Sequence, residues 1–464
     1  MKQQQPNNSP WRRLATLLLA VALLGAGCGP GAGDGTIIVD NFPKEKITLT
    51  LWRVANDSAG FADAINEYIQ IHNNVSFNFK VINPATYEKE LVEALAAGKG
   101  PDIVTLPNDK IHEFEDKLAP MPSNFFGGSD PVGVLTARYP QAVVTDTFYD
   151  GKVFGIPFSI NALVLIWNNS LVQKEFNRRI QDNLPVGEIF FRAPIDWTEI
   201  IELSKALTKR SGDRFDQSGI ALGTTNNIPH VSDIIAALML QQGVKMVTAD
   251  GNNTAYHLPD PNDSTYYPGA AVLDFLRGFS DPASDHYSWD AQRPDAIQNF
   301  IDGKLAMMIN YPSVVPYLVQ RNPGLSVNLA PLPQISNART IVDFAGDYRI
   351  EAVNKASKYP QVAWDFLDKM VDIGLPLYLE TTGQTSAIKQ FTPTTTVAER
   401  AYRTDVPLLA VATARSWFKG PAAAQADLLL SQSLDRVIGQ GQNARDSLTE
   451  AAAAFTQLLS TSSP

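Results

Sequence analysis

The chain has almost no cysteine and comparatively little positive charge. Its 464 residues include a single cysteine, Cys28, which excludes an intrachain disulfide framework and a zinc site built from several thiolates. Lysine and arginine number 38 against 48 aspartate and glutamate residues, so the formal net charge is −10, and the sequence has no long basic run. This balance argues against a protein that grips nucleic acid through its phosphates.

The motifs of several enzyme classes are also missing. The five histidines are scattered, without a His-x-x-x-His or His-Glu-x-x-His arrangement. Glycine-rich nucleotide-binding loops and the Gly-x-Ser-x-Gly elbow of serine hydrolases are absent as well. The sequence therefore predicts no metal and no cofactor. A glycoside hydrolase stays open, because two acids roughly 5–9 Å apart in space leave no fixed spacing in a sequence.

The N-terminal segment is typical of an export signal. A basic start with Lys2, Arg12 and Arg13 precedes an eleven-residue apolar run from Leu14 to Leu24. Such a run is long enough for a signal peptide but too short to span a bilayer. No later stretch of the chain is apolar and free of charge over the roughly 18 residues that a spanning helix needs.

The apolar run ends in small residues directly before the cysteine. Leu24-Gly25-Ala26-Gly27-Cys28 resembles a bacterial lipobox, with Gly25 where a leucine is usual. We predict that residues 1–27 are a lipoprotein signal peptide and that lipid on Cys28 anchors the exported chain to the outer face of the cytoplasmic membrane. An ordinary secretory signal that contains a thiol is the alternative. Residues 28–45 are rich in Gly, Ala and Pro, which predicts a flexible tether. Without residues 1–27 the mature chain would have 35 basic and 48 acidic residues, a net charge of −13.

Strands and helices alternate along the rest of the chain, whose length suggests two domains or lobes. Apolar residues from Ile47 to Trp52 alternate with period two, and those of the next segment follow helical spacing. A strand at 75–82, a helix at 87–97 and a strand at 102–106 continue the pattern. We predict an α/β fold of mostly parallel sheets flanked by helices, with ligands beyond the carboxyl ends of the strands.

A second α/β unit begins after about residue 160. Pro194 and the capping box Asp196-x-x-Glu199 predict the start of a helix. Apolar stripes predict further helices at 272–279, 297–301, 362–370, 430–437 and 448–455. The last two are separated by Gly439-Gln440-Gly441, which predicts a break between them.

Six short motifs in a fixed order resemble the extracellular solute-binding proteins of carbohydrate ABC importers, the group that includes the maltose-binding protein. They span about residues 46–460 and comprise the strand that ends in Trp52, Gly100-Pro101-Asp102-Ile103-Val104, Asp150 to Pro157 followed by Leu165-Ile166-Trp167-Asn168, Pro194-x-x-Trp197-x-Glu199, Phe300-x-x-Gly303-Lys304-x-Ala306-Met307, and Ala363-Trp364-Asp365-Phe366.

The resemblance implies a two-lobed fold whose strands cross between the lobes and which encloses its ligand by hinge closure. Carried over, it places residues 46–158 and 328–362 in an N-terminal lobe. Residues 163–325 and 366–460 would form a C-terminal lobe. The hinge would lie near Ser159 to Leu163 and near Val327.

Candidate ligand contacts follow from how sugars are bound. Aromatic rings stack on the C–H faces of sugars while Asp, Asn, Gln and Arg bind the hydroxyls, so a cleft needs both residue types. Residues of these types that lie at predicted strand ends, lobe crossings or cleft loops are the candidate contacts. They are Trp52, Asn56, Asp57, Asn108, Asp109, Phe158, Asn161, Tyr311, Asp347 and Tyr348. Core packing is the alternative for Trp52, and helix capping is the alternative for Asn108 and Asp109.

One position departs from the family pattern. After Ala306-Met307-Met308-Ile309 the family usually continues Gly-Gly-Pro-Trp, whereas this chain has Asn310-Tyr311-Pro312-Ser313. The expected stacking ring is therefore missing at Ser313. Tyr311 is the predicted substitute, and a smaller or more polar ligand is the alternative.

The resemblance implies a monomeric, non-enzymatic receptor that captures a sugar or oligosaccharide and delivers it to the permease subunits of an ABC importer. A surface-anchored glycan hydrolase is the alternative from another class. A receptor for a polyamine or another polar solute is a third possibility, which the net charge of −13 favours.

Overall fold

The computed structural model describes residues 42–54, 57–125, 130–336, 338, 340–391 and 395–461. The strands are β1 Ile47–Arg53, β2 Val75–Val81, β3 Ile103–Pro107, β4 Leu118–Ala119, β5 Phe148–Tyr149, β6 Lys152–Val153, β7 Val164–Asn168, β8 Lys209–Ser211, β9 Arg214–Ile220, β10 Leu305–Asn310, β11 Val327–Pro331, β12 Asp343–Phe344, β13 Arg349–Asn354 and β14 Ala414–Arg415.

The helices are α1 Ala62–Ile71, α2 Pro84–Ala96, α3 Ile111–Phe114, α4 Pro131–Arg138, α5 Gln141–Thr147, α6 Asn169–Gln181, α7 Trp197–Leu207, α8 Val231–Gln241, α9 Pro268–Gly278, α10 Ala296–Ile301, α11 Val315–Arg321, α12 Pro360–Lys369, α13 Leu375–Thr382, α14 Val397–Arg400, α15 Val406–Val411, α16 Ala423–Gly439 and α17 Ala444–Thr461.

Local sequence signals set several of these boundaries. The helix predicted at 87–97 begins earlier, as α2, because Asn83 accepts a hydrogen bond from the backbone N–H of Ala85 and Pro84 occupies the first turn. Asp196 accepts a hydrogen bond from the backbone N–H of Glu199 and thereby caps α7. The predicted break between α16 and α17 is confirmed.

The structure has two lobes, each with its own sheet and core. The first-lobe sheet has the order β2-β1-β3-β13-β4, and the second-lobe sheet has the order β11-β7-β10-β9-β8. Helices cover both sheets, and the buried apolar side chains form two separate clusters, one around each sheet. The predicted two-lobed α/β fold is confirmed.

The expectation that each sheet is mostly parallel is wrong in detail. β1 pairs in parallel with β2 and β3, but β13 runs antiparallel to β3. In the second lobe β10 is parallel to β9, whereas β7 is antiparallel to both β10 and β11. β7 and β13 each follow a crossing from the other lobe, and each therefore runs opposite to its neighbour, β10 for β7 and β3 for β13.

The first crossing runs through residues 159–163, since Ile160 belongs to the first-lobe core and Leu163 to the second-lobe core. Its backbone runs beside the return crossing, where Leu163 N–H donates to the carbonyl oxygen of Phe344 at 2.9 Å. Phe344 belongs to the second-lobe core and Ala345 to the first-lobe core. The chain therefore returns after Phe344 and not near Val327, because Val327 lies in β11, which pairs along its length with β7.

A second boundary is also corrected, because residues 366–388 belong to the first lobe. Phe366 packs with its ring centroid 4.3 Å from that of Phe77 in β2, and Tyr378 packs edge-on against Phe61. The helix α12 continues through a π-helical turn into α13, so this segment stays on the first lobe. The chain crosses between the cores again at β14, which pairs with β12, since Ala414 belongs to the first-lobe core and Trp417 to the second-lobe core.

The end of the predicted tether is docked on the first lobe. The ring of Phe42 stacks on that of His72 with a centroid distance of 3.8 Å, and Asn74 donates hydrogen bonds to the carbonyl oxygens of Pro43 and Glu45. Residues 42–45 are thus held by contacts, while Cys28, the predicted signal peptide and the rest of the tether lie outside the described residues.

Candidate functional site

A cavity of about 370 Å³ lies between the two lobes, at the carboxyl end of β3 and the start of β13. Its first-lobe wall includes Asn108, Asp109, His112, Asp146, Asp347, Tyr348 and Arg349, and its second-lobe wall includes His230, Asp233, Trp417, Lys419 and Asp427. The cavity therefore occupies the place that the strand pattern predicts for a ligand.

The floor on the first-lobe side is held by a buried carboxylate. Asp146, on α5, accepts hydrogen bonds from Asn108 Nδ2 at 2.8 Å, from the Tyr348 hydroxyl at 2.6 Å and from the Ser416 hydroxyl at 2.5 Å. Burial raises the pKa of the Asp146 carboxyl to about 6, although these three donors oppose the shift. The Asp146 carboxylate thus fixes the residue after β3, the residue before β13 and the segment after β14.

The second-lobe wall is built around a buried lysine. Lys419 Nζ lies 2.7 Å from Asp427 Oδ2 and 3.8 Å from Asp233 Oδ1. Burial alone would lower the pKa of Lys419, but the two carboxylates outweigh it and raise this pKa. Burial raises the pKa of Asp427 to about 6. The wall therefore presents a fixed ammonium group flanked by carboxylate oxygens.

A polar group bridges the lobes beside the hinge. Asn161 Nδ2 donates to Ser313 Oγ at 3.0 Å, and Ser313 Oγ lies 3.5 Å from Asp347 Oδ2. Asp347 adopts a left-handed backbone conformation with φ of +49°, which aspartate tolerates better than most residues. Its carboxylate is exposed to the cavity, so a ligand can reach it.

Four of the predicted contacts line this cavity: Asn108, Asp109, Asp347 and Tyr348. Asn161 lies beside it through Ser313. Tyr311 is fully buried, and its hydroxyl donates to Asp233 Oδ2 at 2.8 Å, so in this structure it supports the wall and offers no ring face for stacking.

Three predicted contacts lie elsewhere in the first lobe. Trp52 is 8% exposed and has Lys80 Nζ 4.2 Å from its ring centroid. Asp57 forms a buried ion pair with Arg53. Phe158 packs edge-on against Phe61 in the core. Each of these three residues lies at a predicted strand end or lobe crossing. That location does not specify which face of the strand or crossing segment its side chain occupies. Asn56 lies outside the described residues.

The candidates predicted from the sequence did not include His230, Asp233, Trp417, Lys419 or Asp427, which line the cavity from the second lobe. His230 and Asp233 begin α8, and the ring of His230 lies edge-on to that of Tyr311 at 4.8 Å. Their only local signal is a polar turn before an apolar helix. The ring of Trp417 is 4% exposed, and its Nε1 donor has no hydrogen-bond partner in the described structure.

Among the described residues, no cluster of three or more His, Cys, Asp or Glu side chains is arranged to hold a metal ion. The same residues contain no helix of the length and apolarity that crossing a bilayer requires.

Comparison with known proteins identifies relatives of this architecture. A model of the family described as bacterial extracellular solute-binding proteins matches residues 62–397. A galactooligosaccharide-binding protein of Bacillus subtilis (strain 168) is 21% identical over 367 residues, which cover 76% of this chain and 75% of the relative.

Solved structures match over nearly the whole fold. The cyclic α-maltosyl-1,6-maltose binding protein from Arthrobacter globiformis has a TM-score of 0.69 at 17% identity, with 89% of this chain and 98% of that chain covered. The sugar-binding protein MalE from Xanthomonas citri has a TM-score of 0.66 at 16% identity, with the same coverage. At such identities the likeness establishes the fold alone.

Proposed function

Since this chain belongs to the family of bacterial extracellular solute-binding proteins, we propose that it captures a sugar or oligosaccharide between its lobes and performs no bond chemistry on it. Two of the similar proteins are named for galactooligosaccharides and for cyclic α-maltosyl-1,6-maltose, which supports this ligand class.

The observation that carries the proposal is the polar lining of the cavity from both lobes. Asp109 and Asp347 offer carboxylates from the first lobe, and Asp233 and Lys419 offer an acceptor and a donor from the second. A sugar hydroxyl donates one hydrogen bond and accepts others, so it can bridge such opposite groups. A ligand bound to both walls holds the lobes together.

Hinge closure is the proposed working step. The lobes are joined by narrow crossings at Ser159 to Leu163, at Phe344 to Ala345 and at β14, where backbone rotation can change the angle between two otherwise separate cores. A ligand that contacts both walls stabilises the closed arrangement by its differential affinity for it.

The ligand screen is a thermal-shift experiment on the purified full chain with neutral mono- and oligosaccharides, polyamines and amino acids. A ligand at 100 times its Kd stabilises the native state by about 2.7 kcal/mol, which corresponds to a rise in Tm of roughly 5–10 °C. We expect one class of neutral sugar to raise the Tm and to be recovered unchanged after overnight incubation.

Two results would point elsewhere. Consumption of a glycan would favour a surface hydrolase, for which the cavity carboxylates offer candidate acids. A Tm increase with polyamines and with no sugar would favour a receptor for cationic solutes. This is the second candidate, because the carboxylates in the lining outnumber Lys110, Arg349 and Lys419.

We also propose that lipid on Cys28 tethers the receptor to the outer face of the membrane, where it delivers its ligand to an ABC permease. The lipobox-like segment supports the anchor. We expect mass spectrometry of the chain from bacterial membranes to detect a lipid-modified cysteine, and Cys28→Ser to release the chain into the soluble fraction. Retention of the variant on membranes with an unmodified N-terminal segment would contradict the anchor.

A further inference from the structure

A second cavity of about 310 Å³ adjoins the cleft and shares His112 with it. Its wall comes from both lobes. The second lobe provides residues 250–252 and Phe418, and the first lobe provides His112, Glu113, Glu115, Asp116 and Tyr149. A ligand that extends out of the cleft past His112 would enter this outer cavity.

Aromatic rings flank the outer cavity. The rings of Tyr149 and Phe418, one from each lobe, are parallel within 1° with their centroids 6.1 Å apart. The imidazole of His112 stands edge-on to both, at 4.8 Å from Phe418 and 5.7 Å from Tyr149. The negative faces of such rings attract a cation placed within about 6 Å of them.

His112 also presents a buried acceptor to this cavity. Its side chain is 5% exposed, and Nε2 lies 3.3 Å from the carbonyl oxygen of Thr145. A carbonyl oxygen only accepts, so Nε2 carries the proton and Nδ1 of the neutral ring carries a lone pair. Burial lowers the pKa of His112 to about 4, which keeps the ring neutral at pH 7.

A second acceptor faces the first. Glu115 Oε2 lies 4.0 Å from His112 Nδ1, and neither buried atom has a hydrogen-bond partner in the described structure. Two acceptors that face each other across 4.0 Å require a donor between or beside them, because unpaired buried polar atoms cost free energy. The wall of the outer cavity is thus incomplete without a group that donates hydrogen bonds.

The charged groups around the outer cavity determine which kind of hydrogen-bond donor it favours. Of the four carboxylates in this wall, Glu113 is paired with Lys110 at 2.8 Å and Asp116 is paired with Lys117. Glu115 faces the neutral imidazole, and the nearby Asp150 and Lys152 act on it with opposite signs. Asp250 accepts hydrogen bonds from neutral groups of Thr248 and Asn252. The remaining excess of negative charge and the aromatic faces suit a positively charged donor better than a neutral hydroxyl.

We propose that the outer cavity is a subsite for a protonated amino group on the captured ligand, so that the cleft prefers a saccharide that bears an amine. This inference rests on the receptor function proposed above. The ammonium group would donate to Glu115 Oε2 and His112 Nδ1 and would lie against the rings of Tyr149 and Phe418.

The test compares matched charged and neutral probes on the purified full chain. Propylammonium and 1-propanol differ in the terminal group, and their binding can be followed by saturation-transfer NMR as a function of concentration. We expect saturable binding of propylammonium in the millimolar range and at least tenfold weaker binding of 1-propanol. Glu115→Gln should weaken propylammonium binding at least tenfold, whereas Glu202→Gln, at an exposed position of α7, should leave it unchanged.

Phe418→Leu is a second variant that keeps both acceptors, and it should also weaken propylammonium binding. The proposal is overturned if propylammonium shows no saturable binding, if 1-propanol binds equally well, or if both variants bind it as the unmodified chain does. Water or a shared carboxyl proton would then satisfy the two acceptors.

The experiment also separates this proposal from the receptor function. Stabilisation by neutral sugars without propylammonium binding removes only the amine subsite. Propylammonium binding without stabilisation by any sugar leaves the cation site and removes the sugar receptor. A glucosamine disaccharide that binds more tightly than cellobiose, with the difference lost in Glu115→Gln, would support both.

Discussion

Arg53 is expected to be essential for the first lobe, because it neutralises two buried carboxylates. Its Nε donates to Asp57 Oδ1 at 3.0 Å, and its Nη1 lies 2.5 Å from Glu351 Oε1 and 2.8 Å from Thr105 Oγ1. Thr105 in turn donates to Glu351 Oε2 at 2.8 Å, so the network joins β1, β3 and β13. Arg53, Asp57 and Glu351 are all less than 10% exposed.

Arg53→Met keeps most of the side-chain volume and removes the charge. Loss of one partner from a buried ion pair costs about 3–5 kcal/mol, because the other partner stays buried without compensation. We therefore expect the free energy of unfolding at pH 7 to fall by about 3–5 kcal/mol. Adding Glu351→Gln should recover a large part of this loss, because it removes one of the two buried carboxylate charges that Arg53 no longer compensates.

The pH dependence has a definite sign. Burial already raises the pKa of Glu351, and without the guanidinium group it rises further. The native variant then binds protons that the unfolded chain releases, so its free energy of unfolding increases as the pH falls from 7 towards 5. Urea denaturation at both pH values measures the difference. Arg214→Met is the matched control, since Arg214 is 79% exposed and pairs with Asp216 at the surface, and it should change stability by less than about 1 kcal/mol.

A loss below about 1 kcal/mol for Arg53→Met, or no recovery with Glu351→Gln, would refute this reasoning. A separate variant decides the role of Asp57, which the sequence suggested as a ligand contact. If Asp57 is structural, Asp57→Asn lowers stability while the affinity of the folded protein for its sugar changes less than about twofold.

Further predictions concern the cleft. Asp109→Asn should weaken ligand binding about tenfold, or about 1.4 kcal/mol, in a calorimetric titration, with the Tm of the free protein unchanged, because Asp109 lies at the cavity wall. Since the pKa of Asp146 is about 6 in the native state and about 4 when unfolded, its contribution lowers the free energy of unfolding by up to about 3 kcal/mol as the pH rises from 4 to 6. Asp146→Asn should flatten this part of the stability curve, and an unchanged curve would contradict the assignment. Gly346→Ala should destabilise the protein by about 1–3 kcal/mol in urea denaturation, because the added Cβ would lie 2.3 Å from the Tyr311 hydroxyl; an unchanged midpoint would mean that Tyr311 moves freely.

The secondary structure was largely predictable because its signals are local. The period of two in β1, the spacing of Val362 and Phe366 in α12, and the glycines between α16 and α17 are signals that act within a few residues. The order of these elements and the short motifs also indicated the two-lobed fold. The antiparallel direction of β13 was not predictable from these signals, since it depends on the chain having crossed from the other lobe.

The candidate site was predictable only on the first-lobe side. Asn108 and Asp109 follow β3 directly, so the rule that ligands lie at the carboxyl ends of strands found them. For Trp52 the same rule failed, because the strand period leaves open whether the last ring turns towards the cleft or beneath Lys80.

The sequence by itself determined the elements, their order and an acidic chain without the motifs of metal or nucleotide chemistry, and it predicts an export-type leader. Tertiary structure alone decided which polar groups meet. Asp109 and Lys419 are separated by more than 300 residues, and they line one cavity because the chain crosses the hinge and brings the segment after β14 against the carboxyl end of β3. Contacts of that kind leave no spacing in a sequence, since they depend on how two packed cores are oriented and not on the residues beside each group.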